Sequence, residues 1–431
     1  MEINIKEKND SIILLNLKLK WEDIKSDYND VQNKILSSSK EKGARKGKLR
    51  GIQKDIFLKN NRDYVNSSFV DHALNLYYRK ALQEKNIIPI NQGNVSDLKF
   101  EGMETDFEFT IEFEIRPVID KKIPNYEKKV TIKTNHYIAT ENDVDKALDD
   151  LRVQHATMKS QDEKGRLKSG NFIHADFTKL DDSGKPVEGG TLPNHNIKIG
   201  EGLFTGDLEK PFIDKKIGDT VNITVDQDSG KVDYAVKINK IEEQVLPEVD
   251  KDFVKTVDSK LKTVEELRKK FKENIQLNLD NENKKEFHNK IIEYFTDKTK
   301  FDVPPSMVDN YRSYLVEDYK SKDPKAFDEE KMAPQLDEIS NKNIKWLLIR
   351  ENLVEKEKII LGQDEIENKI KDMMIESPQY KKDIKKFYNE EQNKNKLRED
   401  ILNSKFFDKM DSFFVNKTKK IATDKIKNKK G

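Results

Sequence analysis

The residues best suited to recognition chemistry form a basic segment between Lys40 and Arg50. Six cations stand there against one acid, Glu41, although the whole chain has a net charge of only +1. Three glycines in and beside the segment allow tight turns. Arginine makes forked contacts to phosphate or carboxylate, while lysine supplies point charge. The segment therefore predicts docking to one anionic surface, with an ordinary exposed turn of a lysine-rich protein as the alternative.

The residues needed for other kinds of chemistry are missing or scattered in the sequence. The chain has no cysteine, which excludes disulfides, zinc–thiolate sites and a cysteine nucleophile. It has no Walker loop, no serine nucleophile elbow and no HExxH motif. The carboxylates are interleaved with lysines, as is typical of a solvated charged face. The histidines lack ligand spacing, so we expect no metal and no cofactor; they are His72, His136, His155, His174, His195 and His288.

Length and composition predict several domains of modest size. At roughly 150 residues per domain, the 431 residues predict about three domains. Charged residues make up 37% and apolar residues 35% of the chain, which favours small modules or an elongated molecule over one large core. Periodic apolar patterns argue against a disordered chain. The first residues are polar and the apolar run at 12–15 is too short to span a bilayer, so we expect a cytoplasmic protein without membrane contact.

Residues 1–116 have the pattern of one α+β module. Apolar and polar residues alternate over 15–19 and over 107–115, which predicts two strands with one wet face each. Two helices are predicted between these strands from apolar residues three and four apart. Their apolar faces consist of Ile24, Tyr28, Val31 and Ile35 in the first, and Val65, Phe69, Ala73 and Leu76 in the second. This order places the basic segment at the tip of a helical hairpin.

The remaining chain divides into three parts. Residues 117–151 are predicted to form a connecting arm that packs with the C-terminal domain, with a helix that begins near Thr140 and is capped with the help of Asp143. In 152–243, short β-rich runs punctuated by glycine and proline predict an antiparallel domain, with a hairpin turn at 182–185. Residues 244–431 are predicted to be almost wholly helical and frayed after Ala422. Prolines should separate these helices at 304, 305, 324, 334 and 378.

The order of these parts resembles bacterial trigger factor, a family of ribosome-associated chaperones with an FKBP-type prolyl isomerase domain. Gly43–Lys48 is similar to the family's ribosome-binding signature G-F-R-x-G-K-x-P. The other similar segments, four in the isomerase-like domain and two at junctions after it, are Ala175–Thr178, Gly184–Gly190, Ile199–Phe204, Lys216–Asp219, Leu246–Phe253 and Phe301–Pro305. The resemblance covers essentially the whole chain in order.

The resemblance implies an elongated α+β multidomain fold. Its parts would be an N-terminal α+β ribosome-binding domain at 1–116, an FKBP-like antiparallel β domain at 152–243 and an all-α C-terminal domain at 244–431. It implies two partners, bound without ATP: nascent or unfolded polypeptides, and the ribosome, through an exit-tunnel protein and rRNA at residues 43–51. A monomer or weak dimer is expected. The implied ribosome-binding residues are Gly43, Ala44, Arg45, Lys46, Gly47 and Lys48.

Two departures from the family pattern lie in the basic segment. Ala44 stands where the family has phenylalanine, and Arg50 stands where it has proline. The charges are kept and one is added, while an apolar wedge is lost. We therefore expect attachment that depends more on charge, and more on salt, than is usual in the family.

The resemblance also implies an isomerase pocket with fewer aromatic rings. Val187 stands where phenylalanine is usual and Leu208 where a large aromatic residue is usual, which predicts a looser cup and weak or lost isomerase activity. The alternative is an active FKBP-type isomerase with accessory chaperone domains; a periplasmic chaperone of similar helical build is disfavoured by the basic segment. The pocket candidates are Phe177, Val187, Glu188, Phe204 and Leu208.

Client binding is expected from scattered apolar residues on a charged helical surface, since such contacts are weak and adaptable. Ordinary helix packing is the alternative for each of them. The candidates are Met373, Met374, Phe387, Phe406, Phe407, Phe413 and Phe414.

Overall fold

The computed structural model describes residues 1–39, 49–162, 164–181, 183–227, 230–324 and 327–425. The chain divides into two compact units, each made from two separate stretches. The first unit comprises Met1–Lys133 and Glu286–Lys417. The second comprises Thr134–Lys285 and the chain from Thr418 onward.

The head of the first unit is a four-stranded antiparallel sheet covered by helices. The strand order is β1-β2-β4-β3. Both predicted strands are present, as the two central ones. The edge strands β1 and β3 were not predicted, because nearly all of their side chains are exposed and each carries only two large apolar residues. The elements are β1 Glu2–Glu7, β2 Ile12–Leu19, α1 Trp21–Ser38, α2 Ile52–Asn60, α3 Arg62–Glu84, β3 Asn94–Lys99 and β4 Phe107–Glu114.

The head core lies between the sheet and the helices α1 and α3. Leu17 of β2 stands opposite Phe109 of β4, and neither side chain is exposed to solvent. Tyr28 of α1 meets Phe69 of α3 edge to face, with 5.1 Å between ring centroids. The predicted apolar faces of both helices thus point into one core.

The second unit contains a five-stranded antiparallel sheet. Its order is β6-β10-β7-β8, with β9 on β10. The predicted β-rich runs at 172–177, 221–225 and 234–238 fall in strands, and the run at 197–199 extends one residue past the end of β8. The predicted hairpin turn lies between β7 and β8, where the Lys185 carbonyl accepts a 2.8 Å bond from the Asp181 amide. Strand β5 was missed in the predicted arm. The elements are β5 Val130–Ile138, α4 Glu141–Gln154, β6 Thr157–Ser160, β7 Phe172–Leu180, β8 Pro186–Lys198, β9 Thr220–Gln227, β10 Gly230–Val245 and α5 Lys251–Val257.

Helix α4 begins as the sequence predicts. The Asp143 carboxylate accepts from the Thr140 amide at 2.7 Å, which completes a capping box. The Thr423 hydroxyl also donates to Asp143. Val144 and Leu148 of α4 then pack with Leu267 in a small apolar core.

The remaining elements are mainly helices, with one strand in a region predicted to be almost wholly helical. Strand β11 pairs with β5 in a two-stranded sheet, so tertiary pairing decided the structure of a lysine-rich segment with weak local preference. Pro334 lies inside α8 rather than between helices. The elements are α6 Val264–Lys298, α7 Pro305–Lys322, α8 Glu329–Lys356, α9 Gln363–Glu376, α10 Lys381–Phe387, α11 Glu391–Asp411 and β11 Phe414–Ala422.

A second core of the first unit joins residues 119–132 to the late helices. Tyr126 and Phe295 are fully buried with ring centroids 5.4 Å apart. The Tyr126 hydroxyl donates to Glu357. Burial, followed by this carboxylate, raises the pKa of Tyr126 above its usual value.

The head contacts α7 through one carboxylate. Glu114, the last residue of β4, accepts from the Ser306 amide at 3.0 Å and from the Ser306 hydroxyl at 2.7 Å. Ser306 lies in the first turn of α7, whose free amides carry partial positive charge. Asn91 donates to the same carboxylate at 3.2 Å. Glu114 therefore caps a helix that lies about 190 residues later in the chain.

Candidate functional site

The predicted ribosome-binding residues Gly43, Ala44, Arg45, Lys46, Gly47 and Lys48 lie outside the described residues. The elements on either side are described. Helix α1 ends at Ser38 and α2 begins at Ile52, after Gly51 with φ of +54°. Both helices belong to the head, so the basic segment connects two elements of the head in the sequence.

Three of the five predicted pocket residues come together in the β domain. Phe177 of β7 and Phe204 meet edge to face, with centroids 6.0 Å apart. Leu208 packs against the same core. Phe177 is almost fully buried, while Phe204 and Leu208 are half-buried. The structure thus gathers one aromatic wall from residues that are separate in the sequence.

Further rings complete this wall. Tyr234 of β10 and His195 of β8 lie 6.3 and 5.8 Å from the Phe177 ring, and Phe212 lies 5.9 Å from Phe204. The sequence analysis missed these three. Strand pairing brings Tyr234 and His195 to Phe177, since β10 and β8 are the two neighbours of β7 in the sheet, and a single sequence does not show this pairing.

The other two pocket candidates lie on strand β8, and neither belongs to the core cluster. Val187 is 37% exposed and the Glu188 side chain is also exposed. Both lie near the hairpin turn, at the start of β8. The described wall is therefore made of Phe177, Phe204 and Leu208 with the newly found rings.

Asp176 fixes the backbone beside the aromatic wall. Its carboxylate accepts from the Asn194 amide at 2.7 Å. This bond, followed by one from the Asn239 side chain, lowers the pKa of Asp176. Asn194 has φ of +52°, so the bond holds a left-handed residue next to His195. The arrangement thus fixes the backbone conformation next to one ring of the wall.

The client-binding candidates separate into buried and accessible residues. Phe406 of α11 is fully buried, and Phe407 and Phe414 are nearly so. Phe413 is half-buried against the same core. For these four, the structure favours the packing alternative. Met373 and Met374 of α9 are half-buried, and Phe387 of α10 is 54% exposed.

Two exposed residues near Phe387 were not predicted. Ile375 at the end of α9 is 73% exposed, and Tyr380, in the turn before α10, is 58% exposed. Sequence spacing alone did not separate the buried large apolar side chains from the exposed ones. The accessible set is therefore Met373, Met374, Ile375, Tyr380 and Phe387.

Within the described ranges, no group of three or more His, Asp or Glu side chains is placed to hold a metal ion. No helix in the same ranges is both long and apolar enough to cross a membrane.

Comparisons with known proteins match the chain over most of its length. The family described as "Bacterial trigger factor protein (TF)" matches residues 1–151, and "Bacterial trigger factor protein (TF) C-terminus" matches 263–410. The trigger factor of Geotalea uraniireducens is 23% identical over 376 residues, covering 83% of this chain and 85% of that protein. The trigger factor of Bacillus subtilis is 26% identical over 319 residues, covering 72% and 73%.

The fold agrees with these matches. A solved structure described as "Promiscuous Substrate Recognition in Folding and Assembly Activities of the Trigger Factor Chaperone" superposes with a TM-score of 0.57 at 18% identity, covering 95% of this chain and 99% of that one. The architecture is therefore that of a multidomain α+β folding chaperone. The chain belongs to the trigger factor family.

Proposed function

We propose that this chain is an ATP-independent, ribosome-associated chaperone that holds nascent or unfolded polypeptides. Family membership at both ends of the chain is the observation that carries the proposal. The head, 1–116, docks on the ribosome in the cytoplasm, and residues 117–151 with 244–431 form the helical client-binding part. The head core involves only residues within 1–116, which supports treating it as one domain.

The basic segment supplies the docking charge. If all six cations met phosphate, the logarithm of the binding constant would fall with the logarithm of salt with a slope of at most about −5. Replacing Arg45, Lys46 and Lys48 by alanine should abolish co-sedimentation with ribosomes at physiological salt. Unchanged binding of this triple variant would refute docking through the segment.

The accessible apolar residues of α9, α10 and the turn between them bind the client. Ile375, Tyr380 and Phe387 are exposed among many charges, so each can cover an apolar client segment without burying a large interface. The related solved structure is described in terms of promiscuous substrate recognition, which supports a broad rather than a sequence-specific choice. Changing all three to serine should reduce suppression of aggregation of an unfolded test protein while leaving ribosome binding intact.

Isomerase activity is proposed to be weak or lost. The aromatic wall at Phe177 supports retained peptide binding, while Val187 and Leu208 supply less ring surface than the family's usual residues. A proline-limited refolding assay with the whole chain should show little acceleration. Strong acceleration that disappears in Phe204→Ala, with aggregation suppression unchanged, would favour the isomerase alternative.

A further inference from the structure

Helix α2 follows the basic segment directly and exposes an apolar pair, defined here as Ile52 and Ile56. Ile52 is 77% exposed and Ile56 is 54% exposed. The two isoleucines are four positions apart, so both side chains lie on one face of the helix. Leu58, which points elsewhere on the helical turn, packs against the head core. Helix α2 has no buried residue, so its outward face remains available for a partner.

The surroundings of the apolar pair are basic. Arg50 and Lys59 are exposed on either side of it, Lys54 is half-buried, and Asp55 is the acid within this stretch. Lys59 stands three residues after Ile56 and therefore shares its face. Single exposed isoleucines are common on protein surfaces. Two on one face, flanked by cations and adjoining the proposed docking segment, suit a partner that offers both apolar surface and negative charge.

We propose that Ile52 and Ile56 bind an apolar depression, rimmed by carboxylates, on a ribosomal protein. This inference rests on the proposed ribosome docking and assigns a second part to that contact. A hydrated phosphate backbone gives an isoleucine no apolar surface to cover, whereas a protein surface does. Ala44 adds little apolar area to the docking segment, so the apolar pair supplies the apolar contact area that the cations cannot.

The test uses the whole chain and vacant large ribosomal subunits, which carry no nascent chain. The variant Ile52→Gln with Ile56→Gln keeps the charge and suits a helix. We expect affinity to fall about tenfold or more, because two apolar side chains no longer leave water. The salt slope should stay unchanged, because neutral side chains release no counterions. The Arg45, Lys46 and Lys48 triple variant should instead flatten the salt slope.

Ile88→Gln is the matched control, because Ile88 is 82% exposed in the same unit and lies outside α2. It should bind as the unchanged chain does. If the unchanged chain binds and the double variant binds equally well, the inference about α2 is refuted while docking stands. If the unchanged chain does not bind at all, the proposed docking itself fails.

Protein-free ribosomal RNA separates the two classes of partner. The double variant and the unchanged chain should bind this RNA with equal affinity. An equal loss of affinity for naked RNA and for intact subunits would assign the apolar pair to RNA and overturn the protein partner. Circular dichroism and thermal unfolding should show the same helix content and stability for all variants, since neither isoleucine is buried.

Discussion

Replacing Glu114 by alanine should loosen the first turn of α7 from the head. The carboxylate accepts from both the amide and the hydroxyl of Ser306 and also from Asn91. A hydrogen bond to a charged group contributes about 1.5–3 kcal/mol, and charge near a helix N-terminus adds about 0.3–1 kcal/mol. Glu114 is half-buried, so values toward the lower end apply. We expect a loss of about 2–3 kcal/mol for Glu114→Ala and about 1 kcal/mol for Glu114→Gln.

Amide exchange at Ser306 measures this contact directly. A loss of about 2–3 kcal/mol corresponds to exchange through local opening that is roughly 30- to 150-fold faster. Hydrogen–deuterium exchange with short overlapping peptides can follow residue 306. Fluorescence adds a second readout, since Trp21 begins α1 in the head and Trp346 lies in α8. The urea concentrations at which the fluorescence of these two tryptophans changes should differ more in Glu114→Ala than in the unchanged chain.

Glu112→Ala is the control for this experiment. Glu112 lies two residues earlier on β4, and its carboxylate pairs with Lys8 at 3.1 Å within the head. This pair is exposed, so its loss should cost less than about 1 kcal/mol and leave exchange at Ser306 unchanged. If Glu114→Ala leaves Ser306 exchange as slow as Glu112→Ala does, capping by Glu114 contributes nothing and the reasoning is wrong.

Two further predictions concern pH and packing. Burial, followed by a neighbouring carboxylate, raises the pKa of Tyr77 and Tyr126, so the folded chain keeps protons that the unfolded chain loses above about pH 10. The free energy of unfolding should therefore fall as pH rises above about 10, and less steeply in Tyr126→Phe; equal slopes in urea titrations would contradict this. A Cβ at Gly93 would lie 2.3 Å from Ile111 Cγ2, so Gly93→Ala should cost about 1–3 kcal/mol in thermal unfolding. Gly362→Ala, where the nearest atom is 3.8 Å away, should cost less.

The sequence predicted best where a pattern reports burial. Residues 15–19 of β2 and the whole of β4 alternate between apolar and polar because one face of each strand is in the core. Helix α4 was predicted from Thr140 and Asp143 because its cap is local. Edge strands β1 and β3 have mostly exposed side chains and therefore a weak pattern, and β11 depends on its pairing with β5, so local pattern did not reveal them.

The candidate site was predictable to a smaller extent. Resemblance indicated Phe177, Phe204 and Leu208, which do lie together. Tyr234 and His195 join them through strand pairing, which a single sequence does not report. Phe406 and Ile375 are both large and apolar on periodic helices, yet one is buried and the other exposed, because helix packing decides between them. The contact of Glu114 with Ser306 was not predicted, because the two residues are far apart in the sequence.

The second core of the first unit is completed by residues that a ribosome adds late in synthesis. Ile119, Tyr126 and Ile132 find their core partners only among residues 287–414, so they stay uncovered while the intervening stretch is being made. The core of the β domain, within 167–241, can close much earlier. During its own synthesis this chain therefore keeps an apolar segment exposed until its last helices have been made.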